Sequence, residues 1–180
     1  QHQLFIAPAS CYNPRPNGWT GREPVDEGQT VTKRIGVLSD THGLLRDEVK
    51  ARIQGCELIV HAGDLGSEGV LRELRRIAHL VAVRGNVDRG GWAMDLRQIE
   101  SFEVEDRRVC VVHDIGTIDP RACGADLLIY GHSHEPTCEE KDGILYLNPG
   151  SAGPRRFHLP ISMALLEVAG AEAHVDFITL

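Results

Sequence analysis

The chain has 180 residues, 42 % hydrophobic and 25 % charged, which suits one soluble globular domain with a sizeable core. Its net charge of −7 excludes a global basic footprint for nucleic acid or an anionic membrane. It does not exclude a phosphorylated substrate, because a bound cation reverses the local sign.

Residues 1–33 carry no periodic pattern, since Pro8, Pro14, Pro16, Pro24, Gly18, Gly21 and Gly28 interrupt every candidate element. They are expected to form a tail, flexible or draped over the surface, with Trp19 and Phe5 available to dock. The segment Leu4-Phe5-Ile6-Ala7 is too short for the apolar core of a signal peptide and lacks a basic start. No apolar stretch is long enough to span a bilayer. The five cysteines (Cys11, Cys56, Cys110, Cys123, Cys138) are widely spaced without a C-x-x-C. That argues against a disulfide framework or a thiolate zinc site, and for reduced thiols in a cytoplasmic protein.

A folded domain is expected over 34–180. The apolar run 35–38 predicts a strand, and 44–53 an amphipathic helix. A second strand follows at 58–60. A second helix spans 67–78, started by Ser67 and Glu68, with Val70, Leu71, Leu74 and Ile77 on one face. Leu80-Val81-Ala82-Val83 is the third strand, and this alternation predicts parallel pairing with helices covering the sheet. The second half is β-rich. Strands at 99–104 and 109–112 flank Glu105-Asp106-Arg107-Arg108, and 127–130 reads as a buried strand. Strands at 137–140 and 144–147 flank Lys141-Asp142-Gly143, and 162–168 pairs with 173–178 around Gly170. Two packed sheets with helices outside follow from this pattern.

Polar residues collect just past the strands. Asp40-Thr41-His42 follows the first, Gly63-Asp64 the second, and Gly85-Asn86-Val87-Asp88 the third. His113 follows the hairpin strand, and Gly131-His132-Ser133-His134 follows 127–130. Ligands bind at this edge of open α/β sheets. Any one fragment alone is more simply a turn or a helix cap. All five in order, each ending an apolar run, are not. The donors are two carboxylates, one amide and four imidazoles, which suit divalent Mn, Fe, Zn, Ni or Co rather than a structural zinc. They divide into Asp40, His42 and His134 for one ion and Asn86, His113 and His132 for another, with Asp64 bridging. Two ions ~3.5–4 Å apart clamp a phosphoryl group and activate a water.

The ordered strings "LSDTHG", "IVHAGD", "VRGNVD", "VVHD", "YGHSH" and "LNPGS" resemble the calcineurin-like metallophosphoesterases over about 34–151. Compact length, "VRGN" and "NPGS" are most similar to the small bacterial and archaeal phosphodiesterase branch. The resemblance implies a four-layer αββα sandwich of two mixed β-sheets flanked by helices. It also implies a dinuclear centre, commonly manganese, held by Asp40, His42, Asp64, Asn86, His113, His132 and His134. A bridging hydroxide would be the nucleophile, with Asp64, Asn86 and His132 acting through metal and phosphate positioning.

Two positions depart from the family. Many members carry histidine after the motif asparagine, and the small branch often cysteine; here Val87 can neither donate a proton nor hydrogen-bond through its side chain. General-acid help is worth ~10²–10⁴-fold, so alkyl phosphates with poor leaving groups are expected to turn over slowly. Glycine usually follows the fifth-motif histidine, whereas here Asp114 adds negative charge or orients an imidazole. His61 reads as a satisfied core histidine, Asp88 as a turn residue, and His79, His158 and His174 as surface. Arg84, Arg89, Arg155 and Arg156 read first as solvated charges, with phosphate steering by Arg155 and Arg156 the sharper alternative.

The favoured function is therefore a dinuclear-metal phosphodiesterase acting on a small phosphodiester or other phosphate ester, without membrane or long nucleic acid; the sequence leaves self-association open. One alternative is a catalytically weak binding scaffold, since the retromer subunit of this fold is similar in size and in "NPGS". The other is a phosphomonoesterase or nuclease.

Overall fold

The computed structural model describes residues 11–13, 32–156 and 158–180. Its first sheet is built from β1 (Cys11–Asn13), β2 (Lys33–Leu38), β3 (Leu58–His61), β4 (His79–Ala82), β10 (Ser162–Ala169) and β11 (Glu172–Thr179). Their order is β1-β11-β10-β2-β3-β4. The pairs β2–β3 and β3–β4 are parallel, whereas β10 runs antiparallel to both β2 and β11. The second sheet has β5 (Ile99–Val104), β6 (Arg107–Val112), β7 (Leu127–Ile129), β8 (Thr137–Lys141) and β9 (Ile144–Asn148), in the order β5-β6-β7-β9-β8. It too is mixed, with β6, β7 and β9 parallel and antiparallel strands at both edges.

The period of two in each strand decides how the layers meet. Ile35 and Val37 of β2 and Val60 of β3 point inward, where they meet Val109, Val111, Leu127, Ile129, Leu145 and Leu147 of the second sheet. Each such fully buried aliphatic side chain contributes ~1.5–3 kcal/mol. The alternate residues Leu38, Ile59 and Met163 face outward onto α1 (Asp47–Ile53) and α2 (Glu68–Ile77), through Val49, Ile53, Val70, Leu71 and Leu74. Gly36 permits this close packing: a Cβ there would lie 2.8 Å from Ile53 Cγ2. On the outer face of the second sheet, Cys110, Val112, Leu128, Ile144 and Tyr146 pack under Ile115 and Ile118. The expected αββα sandwich is present, with its fourth layer reduced to the 3-10 turn Ile115–Thr117 and the coil around it.

Several boundaries differ from the sequence expectation. The first helix begins at Asp47, not at 44. Leu44 N–H instead donates to Thr41 O and Gly43 N–H to Leu65 O, while Arg46 reaches Gly153 O, so these residues belong to the site loop. The expected loop 105–108 shrinks to Glu105-Asp106, because Arg107 and Arg108 already pair with Val104 and Glu103. Buried Arg107 is held by Ala171 O at 2.9 Å. The second helix starts where expected, with Ser67 Oγ accepting the Val70 N–H at 3.3 Å. A one-turn helix α3 (Gly91–Met94) carries no periodicity to read. Within 1–33, Cys11–Asn13 adds an antiparallel strand to β11 and Lys33 opens β2; residues 1–10 and 14–31, with Phe5 and Trp19, lie outside the described residues.

Candidate metal centre

Parallel strands β2, β3 and β4 end at one edge of the first sheet, and β6 and β7 end facing it from the second. The loops beyond those ends carry all seven residues singled out above. The chain must turn sharply to aim each side chain back. Asp40 (φ 54°), His42 (46°), Asp64 (56°), His132 (69°) and His134 (61°) all take left-handed backbone. Such conformations cost on the order of 1–3 kcal/mol each and persist where surrounding structure over-determines them. Here the loops brace one another. Asp40 N–H donates to Gly63 O (3.0 Å), His42 N–H to Asp64 O (2.9 Å), and Gly131 N–H to His113 O (3.0 Å).

The donors fall into two sets. In one, Asp40 Oδ1 lies 3.1 Å from His134 Nε2 and 3.7 Å from His42 Nε2, and the two imidazole nitrogens are 3.3 Å apart. In the other, Asn86 Oδ1 lies 2.9 Å from His113 Nε2 and 3.2 Å from His132 Nδ1, with those nitrogens 3.3 Å apart. Asp64 Oδ2 stands between them, 4.0 Å from His42 Nε2 and 3.4 Å from His113 Nε2. Asp40, Asp64 and His113 also present ligand atoms within 4.8 Å of one another.

Hydrogen bonds outside this cluster fix which atoms it uses. The Ala62 carbonyl takes the Nδ1–H of His113 at 2.8 Å, which leaves the Nε2 lone pair for the centre. Ser39 Oγ (2.5 Å) and His132 N–H (3.1 Å) both donate to Asp40 Oδ2. The other oxygen, Oδ1, is fully buried and faces only the imidazole nitrogens of His134 and His42, with no well-formed hydrogen bond among the described residues. A buried carboxylate oxygen without a well-formed hydrogen bond costs free energy unless a cation meets it. The donor chemistry and this orphaned atom fit a divalent ion.

Charge points the same way. Burial pushes the Asp40 carboxyl upward, but the His134 imidazole 3.1 Å from Oδ1 and the Ser39 hydroxyl on Oδ2 outweigh it and hold it below its ordinary value. Asp64 is likewise lowered, with burial overcome by His113 and the Val87 N–H. His42 is depressed by burial and then by the positive charge of Arg156. His113 is raised, because Asp64 and the Ala62 carbonyl overcome its burial.

Nearby residues divide between support and cleft. Asp88 accepts from Gly66 N–H (2.7 Å) and Gly85 N–H (2.8 Å), a turn role as expected. Asp114 accepts from Gly116 N–H at 2.9 Å and caps the 3-10 turn; the imidazole of His113 is oriented by Ala62, not by Asp114. His61 is buried, but only half satisfied: Nε2 meets Thr41 Oγ1 at 3.0 Å, while Nδ1 has no partner among the described residues. Burial lowers its pKa to about 4. His79 and His158 are exposed, and His174 is partly buried against Asp176 at 3.2 Å. Arg155 and Arg156 are exposed. The sequence reading missed Asn148, whose Nδ2 donates to Gly131 O (2.9 Å) and Ser133 Oγ (3.0 Å) and so sets the GHSH loop. Its signal was the "NPGS" string, which alone gives no partner.

The family model for the calcineurin-like phosphoesterase superfamily domain matches residues 34–171, and the chain belongs to this superfamily. Among curated relatives, a probable metallophosphoesterase of Methanothermobacter thermautotrophicus is 35 % identical, covering 80 % of this chain and 91 % of that protein. A phosphodiesterase of Methanocaldococcus jannaschii is 31 % identical, covering 65 % of this chain and 82 % of that protein. Among solved structures, vacuolar protein sorting 29 of Cryptosporidium parvum superposes with a TM-score of 0.75 at 19 % identity, over 83 % of this chain and 92 % of that one. That last likeness concerns the fold alone. The superfamily and the converging donors make the chain a metal-dependent phosphoesterase.

Proposed function

We propose that the chain is a phosphodiesterase with a dinuclear metal centre, manganese most readily, and a bridging hydroxide as nucleophile. The observation that carries this reading is Asp64 Oδ2 standing between two three-donor sets, 4.0 Å from His42 Nε2 and 3.4 Å from His113 Nε2. Two divalent ions supply an activated water at neutral pH and neutralise charge on the phosphoryl and departing oxygens. The chain's own residues hold and orient. Asp40, His42 and His134 would take one ion, Asn86, His113 and His132 the other, and Asp64 both. His113 keeps its proton on Nδ1 through Ala62, and Asp64 keeps Oδ2 free because Oδ1 is occupied by the Val87 N–H at 2.9 Å.

No side chain at position 87 protonates a leaving group, so the reading favours activated diesters. The phosphodiesterase name of the M. jannaschii relative supports the same preference. Free Cys56, Cys110, Cys123 and Cys138 suit a reducing compartment, and we place the protein in the cytoplasm. No described helix is long and apolar enough to cross a membrane.

The test is metal-stripped protein reloaded separately with Mn, Ni, Zn or Mg and assayed on bis-p-nitrophenyl phosphate against p-nitrophenyl phosphate. Metal-dependent hydrolysis favouring the diester, abolished in Asp64→Ala, is expected. Equal or greater monoester hydrolysis removes the diesterase reading; activity surviving Asp64→Ala removes the bridging role. One observation favours a second reading, a binding scaffold. Among the described residues the exposed large apolar side chains are Leu44, Val87, Met94 and Ile99, three of them within two residues of a proposed ligand or on the adjoining cleft. Two bound ions with no hydrolysis under any metal would select it.

A further inference from the structure

A cleft of about 280 Å³ opens beside Asn86, His113 and His132, and so adjoins only one half of the donor cluster. This is just below the ~300–1,000 Å³ of pockets for drug-sized ligands, so it suits one ring-bearing group rather than a polymer. Ile99, Val112 and Ile118 give its lining an apolar part. Gln98, Asp114 and Thr117 bring hydrogen-bonding groups to its lining.

Arg84 lines the same cleft. Its backbone N–H is fixed to Arg97 O at 2.8 Å. Its guanidinium has a single described partner, the Sδ of Met94 at 3.5 Å, on a side chain 72 % exposed. Neighbouring Arg97 lies 3.6 Å from Glu100, and Arg121 lies 2.8 Å from Asp142. Arg84 has no carboxylate within ion-pairing distance among the described residues, although the chain holds 26 acidic against 19 basic residues. A planar guanidinium without a described carboxylate partner, in a cleft also lined by aliphatic side chains, is suited to a planar ring, whose face it covers while its edge donates hydrogen bonds.

Resting on the phosphate-ester reading, we propose that this cleft is a substituent subsite for a planar ring carried by the ester. Arg84 is a positioning residue on the ring's face, and Ile99 and Ile118 give the ring its apolar contacts. Gln98, Asp114 and Thr117 meet the ring's edge. The ring chemistry is shared by aryl esters and nucleoside esters. Flexible alkyl substituents, such as glycerol or choline, gain nothing from the guanidinium face.

Binding to the metal-loaded protein separates these cases by calorimetry, with inorganic phosphate, methyl phosphate, phenyl phosphate and thymidine 5′-monophosphate as probes. Both ring-bearing esters are expected to bind ~10-fold or more tighter than methyl phosphate, the scale of one stacked ring. That preference should vanish in Arg84→Ala and in Ile99→Ser, a change at an exposed position that leaves the core intact. It should vanish equally in Arg84→Lys, which keeps the charge but not the planar face. Inorganic phosphate should bind all four proteins within about twofold, because it does not reach the subsite. Tighter binding of thymidine 5′-monophosphate than of phenyl phosphate supports the subsite with a nucleoside ester, and equal binding supports it with an aryl ester. Equal affinity for methyl and phenyl phosphate overturns the subsite, as does a ring preference that survives in Arg84→Ala or is rescued by Arg84→Lys. Failure of all four probes to bind, with two ions present by elemental analysis, overturns the phosphate-ester reading itself.

Discussion

Val87 donates its backbone N–H to Asp64 Oδ1 at 2.9 Å while its side chain stands 37 % exposed at the site. The amide does its work whatever the side chain, so position 87 is free to vary without loosening Asp64. The side chain itself offers no proton. Val87→His is therefore expected to fold normally and keep its metals. Turnover of alkyl phosphodiesters should rise by up to ~10²-fold, with little gain on aryl diesters whose leaving groups need no acid. Paired kcat measurements on methyl and p-nitrophenyl esters check this; an equal change for both would place the limit elsewhere.

Two glycines leave room that the carboxylates occupy. A Cβ at Gly85 would overlap the Asp64 carboxylate and amide, and one at Gly131 would overlap Ser39 Oγ and come within 2.8 Å of Asp40 Oδ2. The obstacle at Gly85 includes backbone, which cannot swing aside as a long side chain does. Gly85→Ala and Gly131→Ala should each lose metal affinity by at least ~10-fold, equivalent to ~1.4 kcal/mol of displaced ligand geometry. Their cores should remain folded, since neither glycine lies in a packed strand. Elemental analysis after dialysis against limiting Mn, with circular dichroism alongside, reads both properties; full metal retention in either variant contradicts the steric argument.

The strand–helix alternation of the first half was legible because Ile35, Val37 and Val60 share one face and Leu38 and Ile59 the other, and the helix faces are equally regular. The convergence of the seven candidate residues was legible because each follows an apolar run. What the sequence hid is mostly three-dimensional. Nothing in "SDTHG" shows that Asp40 and His42 are left-handed, since that follows from braces on Gly63, Asp64 and Leu65 brought from a later strand. The turn Glu105-Asp106 looked longer because Arg107 and Arg108 are charged. Arg107 nonetheless belongs to the ladder, its guanidinium satisfied by Ala171 O from a distant hairpin. Asp114 looked available to orient an imidazole, but a backbone carbonyl does that task, and carbonyls carry no sequence signal.

Asp40 Oδ1 belongs to a fully buried carboxylate and has no well-formed hydrogen bond among the described residues, so cation binding should couple strongly to folding. An ion present at 100 times its Kd adds about 2.7 kcal/mol to a folded state that alone binds it. Wild-type protein should show a Tm that climbs with Mn concentration. Asp40→Asn, which fills the space without the charge, should lose most of that climb. Thermal scans across a Mn series decide it. A variant whose Tm tracks Mn as the wild type does would remove Asp40 from the ligand set.

His61 gives the pH dependence of folding a contribution separate from the proposed metal ligands. Thr41 Oγ1 donates to Leu65 O at 3.1 Å and so accepts from His61 Nε2–H, which leaves Nδ1 a bare, buried acceptor. Burial lowers the pKa of His61 from 6.5 to about 4, so the folded state prefers the neutral ring. Between those values the unfolded chain binds the proton that the folded chain refuses. The contribution is fully present above pH 6.5 and fades as pH falls toward 4, with a slope approaching ~1.4 kcal/mol per pH unit for this one group. His42, also depressed by burial, adds in the same direction, and raised His113 acts in the opposite one, but both are common to wild type and variant. His61→Gln keeps a donor for Thr41 and cannot titrate. Urea unfolding of the two proteins from pH 7 to pH 4.5 should show curves that diverge below about pH 6.5, the wild type losing stability faster. Curves that stay parallel through that window would mean that His61 titrates alike in the folded and unfolded chain.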